Sequence, residues 1–154
     1  MAEKIRITGV PKLKIELPVP VAACQGCQHG SVGRIIWESL EELGLGENTI
    51  WIGGVTCGTM NAFLSDLDAV GPVPHGRAPD IGSAMKRILG RDTIIITYQG
   101  DGDAIAIGTE SLIQAAARAE RITVFMANNA NYGTTGGQMA PTTLMEQRTT
   151  TTPE

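Results

Sequence analysis

The sequence sets one carboxylate between two glycines, Gly100-Asp101-Gly102, with Asp103 next in line. Further on comes an amide pair, Asn128-Asn129, and each motif directly follows a run of β-branched and apolar residues, 93–98 (TIIITY) and 122–127 (ITVFMA). A hard divalent cation such as Mg²⁺ takes oxygen ligands in near-octahedral order, one or two from side chains and the rest from phosphate, carbonyl or water. Asp101 and Asn129 can supply two of these. The glycines beside Asp101 let backbone N–H groups approach an anionic diphosphate where bulkier residues would intervene. Asp, Asn and Gly are also ordinary turn formers, so either half alone reads as readily as a surface turn or a strand-capping loop. The specific signal is the pair, each half set behind its own strand.

The second reactive set is the thiols. Cys24-Gln25-Gly26-Cys27 and the distant Cys57 make an odd count, which leaves no disulfide framework and suits metal ligation in a reducing compartment. An iron-sulfur cube takes four thiolates, often two from a C-x-x-C turn, and the chain supplies three. Those three with His29 would equally make a tetrahedral zinc set. For Cys57 alone, between Thr56 and Gly58, a small buried hydrophobe is the plainer reading. Arg77, in His75-Gly76-Arg77-Ala78-Pro79, is a candidate for a carboxylate or phosphate contact, since guanidinium binds such groups bidentately; a solvated charge at a helix entrance is the alternative.

These residues need elements to hold them. Ser31 is read as the cap of a helix carrying Val32, Ile35, Ile36, Leu40 and Leu43 as a core-facing stripe, ended by Gly44. Strands are predicted at 49–55 (TIWIGGV), 93–98 and 122–127, near-continuous apolar runs of the kind parallel strands buried on both faces require. Pro79 opens a helix with Ile81, Met85, Ile88 and Leu89 that stops at Gly90, and residues 108–120 hold an Ala-rich helix. Alternating strands and helices with short links predict an α/β fold, a parallel sheet with helices on both faces, whose ligands gather beyond the carboxyl ends of the strands. Both motif loops, 99–103 and the one opening at Asn128, lie at such ends.

With 154 residues and 42% hydrophobic content, the chain is long enough for one globular domain with a core, and we read it as a single domain over 1–154. Residues 1–20, punctuated by Pro11, Pro18 and Pro20, form an N-terminal extension. Residues 141–154 form a Thr-rich tail without periodicity, read as truncated or continued in another chain. A net charge of −4 with no Lys/Arg cluster argues against nucleic acid. The charged start and the lack of a long apolar run argue against a signal peptide or membrane span and for a cytoplasmic protein.

The paired motif at this spacing resembles the signature of thiamine-diphosphate enzymes. The surrounding words YQGDGD and NNANYGTTGGQMAPTT, with Cys24-Gln25-Gly26-Cys27-Gln28-His29-Gly30 and the His75 segment in order, are similar to the β subunits of 2-oxoacid:ferredoxin oxidoreductases. The wording is nearest to the 2-oxoglutarate and 2-oxoisovalerate branches. That resemblance implies the thiamine-diphosphate-binding fold, with Asp101, the Asn129 side chain and the Asn131 backbone carbonyl on Mg²⁺. Gly100, Gly102, Asp103, Thr134, Thr135, Gly136 and Gly137 would border the diphosphate. It implies Cys24, Cys27 and Cys57 as ligands of a [4Fe-4S] cluster whose fourth ligand is not in this chain, and His29, His75 and Arg77 as candidate catalytic positions.

The activity so implied is oxidative decarboxylation of a 2-oxoacid with coenzyme A to acyl-CoA, electrons leaving through iron-sulfur clusters to ferredoxin. It would require an α subunit, which supplies the activating glutamate, and γ and δ subunits where the assembly has them. Two other classes stay open on the residues alone: a non-catalytic Mg²⁺-nucleotide or diphosphate-binding domain, and a zinc-stabilised α/β scaffold for protein partners.

Overall fold

A computed structural model describes Ala23, Cys24 and residues 26–153. The 1–20 extension and Gln25 of the C-x-x-C segment lie outside the described residues. The core is a parallel sheet of β1 (Thr49–Gly53), β2 (Asp68–Val70), β3 (Ile94–Gly100) and β4 (Thr123–Ala127) in the order β2-β1-β3-β4. Helices α1 (Gln28–Glu42), α2 (Ala78–Ile88) and α3 (Thr109–Ala117) cover it. A short antiparallel pair, β5 (Asn131–Tyr132) and β6 (Gln138–Met139), follows β4. Among the described residues no helix is long and apolar enough to cross a membrane.

Side-chain alternation along the strands sorts two cores onto the two faces. Trp51, Ile96 and Tyr98 face Ile36, Trp37 and Leu40 of α1. The neighbouring residues Ile52 and Ile95 pack with Ala78, Ile81 and Met85 of α2. Gly82 lets α2 come close, since a methyl there would stand 3.1 Å from Ile95 Cγ2. β1 and β3 are thus buried on both sides, which explains their unbroken apolar sequences.

The helix boundaries correct the sequence reading in physical detail. α1 begins a turn before Ser31, with Cys27 in extended geometry as its N-cap and no side-chain cap bond, directly after the turn closed by the Cys27 N–H on Cys24 O at 2.9 Å. The buried stripe is accordingly His29, Gly33, Ile36, Trp37 and Leu40, while Ile35 is 61% and Leu43 68% exposed. Gly44 does end the helix: at φ +66° it donates to Glu41 O while Leu45 donates to Leu40 O, the paired bonds of a Schellman motif. The same pair of bonds closes α3 around Ala119, at φ +49°.

β1 stops at Gly53 rather than at 55, and β3 runs on through Gln99 to Gly100. Ile88, expected on the packed face of α2, is 83% exposed at its end. The Ala-rich helix starts at Thr109, preceded by a π-helical turn, Gly102–Ile107, that follows β3 after Asp101. Such turns are uncommon and concentrate at functional sites. Among the described residues the Thr-rich tail forms turns and bends without helix or strand, as its lack of periodicity suggests, yet its hydroxyls bind back onto the body of the protein.

Candidate functional site

β3 and β4 lie side by side with Gly100 opposite Ala127, so both motif loops leave the sheet at the same level. Asp101, 2% exposed, stands at the end of one and Asn129 in the other. The Asn129 side-chain oxygen is 3.1 Å from Asp101 Oδ1 and 2.7 Å from the Asn131 carbonyl oxygen, and it accepts the Asn131 N–H at 3.3 Å. Turning the amide would make this atom a nitrogen donating to both oxygens, but would also set it against the Asn131 N–H. The orientation present sets two other oxygens, Asp101 Oδ1 and the Asn131 carbonyl, beside the Asn129 amide oxygen. Adjacent ligands of an octahedral cation with bonds of about 2.0–2.1 Å lie about 2.9 Å apart, so this spacing suits Mg²⁺. The residues fit the metal the sequence implies.

Asp103 takes another part. Its Oδ1 accepts the Gly76 N–H at 2.6 Å and lies 2.5 Å from His75 Nδ1, off the ideal hydrogen-bond direction, while Oδ2 accepts Gln99 Nε2 at 2.7 Å. It is 1% exposed. Both oxygens are committed to the protein, so the side chain expected beside diphosphate instead ties the His75-Gly76 loop to the end of β3. Gly102 also has a structural reason. A methyl there would come within 2.6 Å of Tyr132 Cδ1 and 2.9 Å of its Cζ. The Tyr132 ring therefore lies directly over this backbone.

His29 projects from the first turn of α1, and its Nδ1 meets the Tyr98 hydroxyl at 2.7 Å. Burial, aided by the charge of Cys27, pushes the Tyr98 phenol up to about 12, and burial holds the His29 imidazole below its ordinary value. The phenol thus stays protonated and the imidazole neutral, with Nδ1 on the Tyr98 hydroxyl and Nε2 3.5 Å from Thr56 Oγ1. Tyr98 and Thr56 were not singled out by sequence; Tyr98 was hidden among the apolar residues of its strand.

A cavity of about 130 Å³ brings these groups together. His29, His75, Gly100, Asp101, Gly102, Asp103, Asn129, Asn131, Thr134 and Thr135 all line it, as does Cys57, whose Sγ is 2.9 Å from Thr134 Oγ1. Val55, Thr56, Ala127, Tyr132 and Gly133 complete the wall without having been anticipated as site residues. Gly136 does not line it; at φ +117° it shapes the turn beyond. Arg77 is also away from the cavity, bound to Glu110 Oε2 at 3.1 Å and Ser111 Oγ at 2.7 Å, where it joins α2 to α3. Its guanidinium meets a carboxylate as expected, but one of this chain.

Among the described residues no three His, Cys, Asp or Glu side chains form a group that could hold a metal ion. The Cys24, Cys27, Cys57 and His29 zinc set is therefore not assembled, and the three thiols are not gathered as a cluster would need. Cys24 is exposed, Cys27 caps α1, and Cys57 alone reaches the cavity.

A family model described as the thiamine pyrophosphate enzyme, C-terminal TPP binding domain, matches residues 44–154, which include both motif loops. The chain belongs to this family. Within it, the chain is similar to the ketoisovalerate oxidoreductase subunit VorA of Methanothermobacter thermautotrophicus, 44% identical over 136 residues, 88% of this chain and 28% of that protein. It is 33% identical over 136 residues to the 2-oxoglutarate synthase subunit KorB of Archaeoglobus fulgidus, covering 88% of this chain and 50% of that one. A solved 2-oxoglutarate:ferredoxin oxidoreductase from Magnetococcus marinus, with 2-oxoglutarate, coenzyme A and succinyl-CoA bound, matches with a TM-score of 0.83 at 27% identity. That match covers 92% of this chain and 47% of the other. These relatives are 2-oxoacid oxidoreductase subunits, as the sequence motifs suggest, and the chain spans half or less of their length.

Proposed function

We propose that the chain is the thiamine-diphosphate-binding part of the β subunit of a 2-oxoacid:ferredoxin oxidoreductase, acting as one domain over 1–154 and holding Mg²⁺-diphosphate between Asp101 and Asn129. The observation that carries this reading is the placement of Asp101 Oδ1 and the Asn131 carbonyl beside the Asn129 amide oxygen at adjacent strand ends. Thr134 and Thr135 line the same cavity as candidates for the diphosphate oxygens, with Gly100, Gly102 and Gly133 beside them. When bound, the thiamine supplies the carbanion chemistry by which a 2-oxoacid loses carbon dioxide. The protein anchors the diphosphate, keeps His29 neutral beside the cavity, and holds His75 at its rim through Asp103.

The assembly would include an α subunit, γ and δ subunits where present, ferredoxin and coenzyme A, in the cytoplasm. A [4Fe-4S] cluster on Cys24, Cys27 and Cys57, with a fourth ligand elsewhere, rests on the family resemblance alone, since the thiols as placed here would have to come together to hold it. The higher identity to ketoisovalerate than to 2-oxoglutarate relatives favours a branched-chain 2-oxoacid.

Calorimetric titration of the assembled protein with thiamine diphosphate, with Mg²⁺ or with EDTA, tests the reading. Binding is expected to need Mg²⁺ and to weaken by about 100-fold or more in Asp101→Ala, beyond what losing an outer-shell partner does. Affinity indifferent to both Mg²⁺ and Asp101 would refute it, and would favour the scaffold class.

A further inference from the structure

The Thr-rich segment does more than follow the site. Thr142 Oγ1 donates to Asp101 Oδ2, while the other carboxylate oxygen, Oδ1, is the one beside the Asn129 amide oxygen. Its neighbour Thr143 donates to the carbonyl of Ala130 at 2.6 Å and accepts the Ala140 N–H at 2.8 Å. Ala130 sits between Asn129 and Asn131 and is held at φ +60°, a conformation residues other than glycine seldom adopt. Two consecutive hydroxyls thus grip the two halves of the candidate site, one the acid and the other the loop that bears the amide and the carbonyl.

We propose that Thr142 is a positioning residue that restricts Asp101 to coordination through one oxygen and thereby sets a preference for Mg²⁺ over Ca²⁺. The inference rests on the Mg²⁺-diphosphate reading above. With Oδ2 engaged by the threonine, Oδ1 is the oxygen left beside the Asn129 amide oxygen. Asp101 is 2% exposed, so turning the carboxylate to present both oxygens gives up a protein hydrogen bond. Mg²⁺ requires six ligands at about 2.0–2.1 Å and accepts a single carboxylate oxygen, whereas Ca²⁺ takes six to eight at about 2.3–2.6 Å and readily uses both. A hydroxyl on the second oxygen suits the first ion and hinders the second. Outer partners of this type orient metal ligands in general, and losing one weakens metal binding by about 10–100-fold.

The test measures Mg²⁺ and Ca²⁺ dissociation constants by calorimetry, in the presence of thiamine diphosphate, for the full chain assembled with its partner subunits. Thr142→Val keeps the side chain's shape and removes the hydroxyl. It is expected to weaken Mg²⁺ by about tenfold or more, with Ca²⁺ unchanged or tighter, so the ratio of the two constants moves. Thr142→Ser, which restores the hydroxyl, returns the ratio to that of the unaltered protein. Thr143→Val, acting on the loop rather than the carboxylate, weakens both ions together. If Thr142→Val does not assemble, Thr142→Cys, a weaker donor of similar size, must shift the ratio in the same direction. A ratio left unmoved in Thr142→Val, or in Thr142→Cys where that variant stands in, overturns the proposal. Failure of the underlying reading looks different, since the unaltered protein would then bind thiamine diphosphate equally well in EDTA.

Discussion

Substituting Gly102 with alanine separates two reasons for a glycine at that position. If the residue serves only to let a diphosphate approach the backbone, Gly102→Ala leaves the empty protein as stable as before, or slightly more so. Its φ is not left-handed, and replacing glycine at a compatible position gains about 0.4–1 kcal/mol by restricting the unfolded chain. The structure argues otherwise. The new methyl would stand 2.6 Å from Tyr132 Cδ1 and 2.9 Å from Cζ, about 1 Å inside ordinary carbon contact at about 3.5–4.0 Å. The ring also donates its hydroxyl to Gly102 O at 3.4 Å, which limits how it can withdraw. Overpacking of this kind costs about 1–3 kcal/mol, so the net expectation is a loss of about 1–2 kcal/mol. Urea denaturation of Gly102→Ala, Tyr132→Ala and the double variant measures it. In the Tyr132→Ala background the alanine is expected to become neutral or stabilising, with a coupling of about 1–3 kcal/mol. An equal change in stability on Gly102→Ala in both backgrounds would refute the argument and return the glycine to the diphosphate.

Three other outcomes follow from the geometry. His29 titrates below 6.5 in the folded protein and near it when unfolded, so its contribution is intact above that pH and declines as pH falls, by at most about 1.4 kcal/mol per unit; His29→Gln should flatten urea-derived stability between pH 7.5 and 5.5, and an unchanged slope contradicts the assignment. Ala119, at φ +49° in the Schellman turn closing α3, makes Ala119→Gly a stabilising change of about 1 kcal/mol, read as a higher melting temperature. Asp103→Ala leaves the Gly76 N–H and the Gln99 amide without their acceptor and is expected to destabilise by more than about 2 kcal/mol, with amide exchange at Gly76 speeding up; slow exchange there would count against the clamp.

Much of the fold was legible because β1, β3 and β4 are long apolar runs, and the two motif loops follow directly from strands whose ends they occupy. β2 was not. It has three residues, begins with the exposed Asp68 and lies at the sheet edge, where burial imposes no pattern. The start of α1 was misplaced because Ser31 is a better intrinsic cap than Cys27, and the true boundary is set by the turn before it. Arg77 was read toward a ligand because its partners, Glu110 and Ser111, are more than thirty residues away in sequence. Thr142 escaped for a similar reason. A hydroxyl in a turn carries no periodic signal, and its bond to Asp101 exists only once the chain has returned across the site.

The registration of Gly100 against Ala127 gives the core a say in the chemistry. A slip of one residue between β3 and β4 would shift Asp101 relative to Asn129 by about 3.3 Å and turn the strand's side chains to the opposite face. On the Mg²⁺-diphosphate reading proposed above, ion affinity would serve as a vernier on strand alignment. Substitutions deep in the sheet, remote from any ligand atom, can silence the protein while leaving its helices intact, and variants at Ile96, Thr97 or Phe125 need scoring for misalignment as well as for lost stability.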